Sequence, residues 1–159
     1  MARPIRTLSV QTTVLLACAL LAGCGGDDKA DSGQQKTTLH VVEHATTNTL
    51  QHIGPASEKD SVGDVLGYAN PIFDAANKKR IGSDNGSCIR TVAGDAFECM
   101  WTTTLRDGQI IVEGPFYDDR DSVVAITGGT GAYAGARGEM DLHARDPKGK
   151  EYDFTFHIK

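Results

Sequence analysis

The sequence predicts an all-β domain that closes into an eight-stranded antiparallel barrel. Three observations carry that expectation. Apolar and polar residues alternate with a period of two over most of residues 37–159, turn-forming residues punctuate the alternation at short intervals, and no stretch of that region carries the 3.6-residue periodicity of an amphipathic helix. Alternation of this kind marks strands with one buried and one wetted face, and eight of them with short connections can close on a lumen that holds side chains or one small ligand.

The chain begins with a segment outside that pattern. Arg3 and Arg6 precede a short apolar run, Val14 to Leu21, which is shorter than the roughly 20 residues a membrane span needs and reads as a secretory signal over residues 1–23. Its end, Leu21-Ala22-Gly23-Cys24, resembles the bacterial lipobox, which makes Cys24 the lipidated first residue of the mature protein. Residues 24–36 contain no large apolar side chain and read as a flexible tether. The expected location is therefore extracytoplasmic, on a membrane of the bacterial cell envelope. The formal charge of the whole chain is -5, and loss of Arg3 and Arg6 with the leader makes the mature chain more acidic still. No basic stripe remains, which argues against nucleic acid as a partner.

The expected strands run, in order, over residues 38–45, 65–73, 87–92, 97–105, 109–116, 122–127, 136–145 and 151–158. In the first, Leu39, Val41 and Glu43 share one face and His40, Val42 and His44 the other. Leu66, Tyr68, Asn70 and Ile72 form the larger-residue face of the second, and Phe97, Cys99, Trp101 and Thr103 one face of the fourth. The seventh sets Met140, Leu142 and Ala144 against Glu139, Asp141 and His143, and the last sets Tyr152, Phe154, Phe156 and Ile158 against Asp153, Thr155 and His157. Residues 47–63 are left open between a short helical turn and a mobile loop.

The glycines of Thr127-Gly-Gly-Thr-Gly131 raise the question of a dinucleotide-binding turn. Such a turn must lead into a helix whose N-terminus holds the phosphate. Here Gly135 and Gly138 would break any helix in the next residues and alternation then resumes, so these glycines turn a corner. Glu151 falls where a ribose-binding acid would stand, but it opens an alternating strand.

Several segments together, Gly63 to Ala75, Gly86 to Thr91 and Ile110 to Glu139, resemble the allene oxide cyclase and dirigent protein superfamily, with Gly114-Pro-Phe-Tyr117 and Ala125-Ile-Thr-Gly-Gly-Thr-Gly131 the most specific part. The resemblance implies an eight-stranded barrel, frequently a homo-oligomer such as a dimer or trimer, with a mainly apolar lumen. Plant allene oxide cyclases ring-close an unstable fatty-acid epoxide there, dirigent proteins steer phenolic intermediates, and bacterial relatives include cyclases. It implies an isomerase-type reaction that needs no cofactor.

Carried over position by position, the family glutamate of the first strand falls on Glu43 and the water-holding asparagine of the second on Asn70, which become the candidate catalytic pair. A lumen cysteine falls on Cys88. Tyr68 and Trp101 join it as candidate ligand contacts, as does Val123, where the family carries a tyrosine. Two family positions are not kept: an asparagine is replaced by Ala45 and that tyrosine by Val123, which weakens the case for the plant substrate.

Other readings weigh against each of these. A buried Glu43 must either hold a raised pKa or find a partner, for which Arg90 is the candidate. Asn70 either orients a water or substrate oxygen or satisfies a backbone group. Cys88 and Cys99 flank a candidate hairpin with Ala93 to Ala96 at its tip, where a disulfide is expected in an oxidising compartment, and a bridged Cys88 has no thiol to offer.

No metal is expected: His40 and His44 share a strand face but lie about 13 Å apart, too far for one ion. Asp118 to Asp121 lack the spacing of a calcium loop and read as a solvated turn. The sequence leaves three functions open: a cyclase or isomerase of a small hydrophobic molecule, a non-catalytic carrier of such a ligand, or a surface lipoprotein whose lumen is filled by its own side chains.

Overall fold

The computed structural model describes residues 36–159, and all of the described residues belong to one body. The leader, Cys24 and the tether as far as residue 35 lie outside it.

The described chain forms nine strands: β1 Thr37–His44, β2 Thr49–Gln51, β3 Val65–Asp74, β4 Arg80–Val92, β5 Ala96–Leu105, β6 Gly108–Tyr117, β7 Ser122–Gly131, β8 Gly138–Ala144 and β9 Glu151–Ile158. Sequential neighbours from β3 to β9 pair antiparallel, β9 pairs with β1, and β1 returns to β3, so eight strands form a closed antiparallel ring. The three-residue β2 hydrogen-bonds only to β3 and stands outside the ring. No helix occurs among the described residues. Closure leaves no long unpaired edge, the usual liability of an all-β chain.

The strands appear in the expected order, with instructive departures. β4 begins at Arg80, seven residues before the expected start, because Gly82, Ser83, Asp84, Asn85 and Gly86 look like a loop by composition. The wall needs two of these residues for their lack of a side chain. A Cβ on Gly86 would lie 2.5 Å from Trp101 Cβ and 2.6 Å from the Tyr68 ring, and one on Gly82 would lie 2.2 Å from the Thr104 carbonyl oxygen. Steric demand across the sheet, not turn chemistry, selects glycine here.

β7 runs through the glycine cluster to Gly131 before the chain turns at residues 132–137, so the corner reading of that segment holds. The open stretch 47–63 contains β2 and an irregular segment pinned by Asp64. The fully buried Asp64 accepts the backbone N–H of Ile53 at 2.9 Å and of Ser61 at 3.0 Å, and its Oδ2 lies 2.8 Å from His52 Nδ1.

Inward-facing residues fill one part of the lumen completely. Val41, Ile72, Ile110, Val112, Met140 and Phe156, from five strands, each retain 0% exposure. The part nearer the β1–β2 connector and the β8–β9 turn is not filled.

Candidate functional site

That unfilled part of the lumen is a cavity of about 240 Å³. Ala45, Thr47 and Asn48 of the β1–β2 connector and Lys148 and Gly149 of the β8–β9 turn form its rim, while Trp101, Phe116, Phe154, Tyr68 and Tyr152 supply its aromatic wall. Trp101 and Phe154 approach to 5.8 Å between ring centroids, and Phe116 meets Tyr152 edge-on at 5.9 Å. Usual ligand pockets run from about 300 to 1,000 Å³, so this one suits a compact molecule.

Glu43 is the acid of this cavity. It lies two residues beyond Val41 on β1 and therefore points to the same inner face, where it is 5% exposed. Asn70, on the adjoining β3, donates from Nδ2 to Glu43 Oε1 at 2.6 Å. Its Oδ1 accepts the backbone N–H of Thr46 at 3.0 Å and of Thr47 at 2.8 Å. Those two donors fix the orientation of the amide: with Oδ1 engaged by the connector, Nδ2 must face the carboxylate. Asn70 thus satisfies backbone groups and holds the acid at the same time.

The sequence reading missed a second acid beside Glu43. Asp84 pairs directly with Asn70 in the β3–β4 ladder and with Thr103 in the β4–β5 ladder, and it is 0% exposed. Neither of its carboxyl oxygens has a hydrogen-bond partner among the described residues, and the nearby charge of Glu43 bears on it. Extending the alternation of Cys88 backward through Gly86 would have placed Asp84 on the inner face, but only once residues 80–86 were recognised as strand.

Burial raises the Glu43 carboxyl above the usual range, against the lowering effect of the Asn70 hydrogen bond, of Asp84 and of nearby His44. Burial also raises Asp84, and the Glu43 charge raises it further. Tyr68 is likewise pushed up, first by burial and then by Asp84 and Glu43, and Tyr152 by burial and then by Glu43, Asp146 and Asp118, so both remain neutral phenols. Nearby, Trp101 Nε1 and Thr103 Oγ1 are buried without a protein partner.

Several expectations require correction or completion. Val123 cannot line the lumen: it sits between inward-facing Ser122 and Val124 on β7, points outward, and is 54% exposed. Arg90 does not neutralise Glu43. It lies 2.8 Å from Asp60 and 2.7 Å from Asp118, with its guanidinium 3.5 Å above the Phe97 ring. Among the described residues no arginine or lysine pairs with Glu43. Cys88 does face the cavity, but it is bonded to Cys99 across the β4–β5 ladder, where the two Cα atoms lie 4.0 Å apart, and so offers no thiol. Tyr68 and Trp101 line the cavity. Phe116, Tyr152 and Lys148 line it too, and nothing in their local sequence separates a cavity wall from a packed core.

Comparison with known proteins gives a consistent picture. The family model for allene oxide cyclase matches residues 36–158. Among solved structures, a pyocyanin demethylase superposes with a TM-score of 0.62 at 24% identity, covering 76% of this chain and 100% of that one. A pterocarpan synthase dirigent protein superposes with a TM-score of 0.60 at 20% identity, covering 79% of this chain and 86% of the other. A Diels–Alderase from Streptomyces koyangensis gives a TM-score of 0.57 at 16% identity, covering 80% of this chain and 68% of that one. At these identities the likeness establishes a shared barrel.

Proposed function

This chain belongs to the allene oxide cyclase family, and on that footing we propose that it is a cyclase or isomerase acting on a small, mainly apolar molecule held in the barrel cavity. The observation that carries this reading is Glu43, a carboxyl group buried in an aromatic-walled cavity and paired with no arginine or lysine of the described residues. Placing an acid there costs free energy that packing alone would not demand, and such a group stabilises developing charge or moves a proton. Asn70 holds its orientation. The cavity supplies the rest by excluding water and confining the ligand near a reactive shape, which suits intramolecular bond formation.

The range of barrels of this shape supports small-molecule chemistry: a demethylase, Diels–Alderases and dirigent proteins share it. The cavity volume favours a compact ring system over a long chain. We place the barrel on the bacterial cell envelope through a lipid at Cys24; Cys24→Ser then releases the protein from the membrane fraction, and retention there would refute the anchor.

Native mass spectrometry of the purified full chain tests the functional reading by identifying a co-purifying small molecule. With that molecule or its precursor in hand, Glu43→Gln lowers turnover by about 10²–10⁴-fold while leaving binding largely intact. Binding without turnover in both proteins would make the barrel a carrier.

A further inference from the structure

Asp84 has no role in a cyclase that works through Glu43 and Asn70 alone, yet it is among the most deeply buried polar side chains of the barrel. Three facts about it belong together. It is the direct ladder partner of Asn70, which binds Glu43; neither of its carboxyl oxygens has a hydrogen-bond partner among the described residues; and no arginine or lysine among them pairs with either acid. Two buried carboxyl groups flanking one amide, with no arginine or lysine to neutralise them, cannot both be ionised, so one holds a proton. Asp84 is the sequestered member; Glu43 lines the cavity and also receives the Asn70 amide.

We propose that Asp84 is a neutral carboxylic acid at neutral pH that donates to Glu43, so that Glu43 faces the cavity as a carboxylate acting as a proton shuttle. Resting on the cyclase or isomerase reading, this deepens it by naming the substrate class: a compact molecule with a phenolic O–H or a C–H acidified by a neighbouring carbonyl. In the first step a Glu43 oxygen takes that proton, the O–H or C–H bond breaks, and its electron pair stays on the substrate as a phenolate or enolate. Both acids are then neutral, a state that burial favours. In the second step, after the bond migrates or the ring closes, the same proton returns from Glu43 to another substrate atom. The product is an isomer, and no other reactant is consumed.

The groups facing the pair are uncharged: Asn70 and Tyr68 from β3, Thr103 from β5 and Tyr152 from β9. His44 acts on Glu43 from the far side of β1, and Lys148 stands at the rim. Asp84 does not line the cavity and stands behind Asn70 and Glu43, so it is a positioning residue.

Infrared spectroscopy of the purified full chain tests the proposal without a substrate. Wild-type protein at neutral pH shows the carbonyl band of one buried carboxylic acid. Heavy-carbon labelling of aspartate moves that band, labelling of glutamate does not, and Asp84→Asn removes it. Absence of the band, or its movement with glutamate labelling, overturns the proposal whether or not the protein proves to be an enzyme. Once a substrate is known, Asp84→Asn, which keeps a donor to Glu43, leaves the acidic limb of the rate profile near its wild-type position. Asp84→Leu moves the acidic limb of the rate profile to higher pH, and an unmoved limb would again overturn it.

Discussion

Two parts of one lumen are built from the same eight strands and the same alternation, yet one is solid and the other hollow. On the solid side Ile110, Met140 and Phe156 interlock with no exposed surface. On the hollow side large rings stand around a space, and the polar residues Glu43, Asn70 and Asp84 gather on three strands adjacent in the ring, β1, β3 and β4. The difference teaches that this barrel separates stability from chemistry along its axis. The packed part tolerates no loss of volume, while the hollow part is already missing the contacts that a truncation would remove.

Truncation sharpens that contrast most. Phe156→Ala should lower unfolding stability by about 3–5 kcal/mol, the cost of a large cavity in a packed core. Phe116→Ala, in a wall already facing empty space, should cost less than about half as much, measured by urea denaturation of both variants. Equal losses would mean that the cavity is closed by packing in solution, and the division would fail.

A smaller effect concerns the disulfide that braces the hollow part. Cys88 and Cys99 enclose a short segment, with a sequence separation of 11. Replacing both by serine should cost roughly 2–3 kcal/mol through the freedom restored to the unfolded chain. Ligand binding should weaken along with stability, because the bridge also forms part of the cavity wall. Unchanged binding would show the wall to be rigid without it.

The smallest effects are those of pH, and they carry opposite signs in two places. Burial would raise the Asp64 carboxyl, but the N–H of Ile53, His52 and the N–H of Ser61 together outweigh it and hold the group at about 2 against an ordinary 3.8. A depressed acid stabilises the fold above its unfolded value and loses that contribution as pH falls from about 3.8 toward 2. Asp64→Asn should flatten the acid limb of the stability curve in that window. Glu43 and Asp84 are raised instead, so their contribution is complete below their unfolded values of 4.5 and 3.8 and fades as pH rises through the folded ones. Asp84→Asn should therefore leave stability less sensitive to pH on the neutral side, as read from thermal melts across pH. A slope there identical to wild type would mean that the pair holds no proton.

Much of the site is legible in the residue pattern. Glu43 on the face of Leu39 and Val41, and Asn70 on that of Tyr68 and Ile72, can be read from alternation alone once the strands are placed. The family resemblance puts Val123 in the lumen although the same alternation speaks against it, since a residue between Ser122 and Val124 must face the other way when they face in. Asp84 is hidden for a different reason: its neighbours are glycine, serine and asparagine, and composition cannot distinguish a turn from a wall strand thinned to admit Trp101 and Tyr68.

The chain's own residue pattern determined the all-β class, the strand order and the inward set on most strands, because a period of two is a local property that survives any tertiary arrangement. It also made the Cys88–Cys99 bridge expected, since hairpin geometry is local too. Only closure of the ring decided that Glu43 joins Asn70 and Asp84 and that Arg90 is taken by Asp60 and Asp118. Closure likewise decided that part of the lumen stays empty. Those outcomes depend on the stagger of eight strands and the summed volumes of side chains far apart in sequence, quantities that no single segment contains.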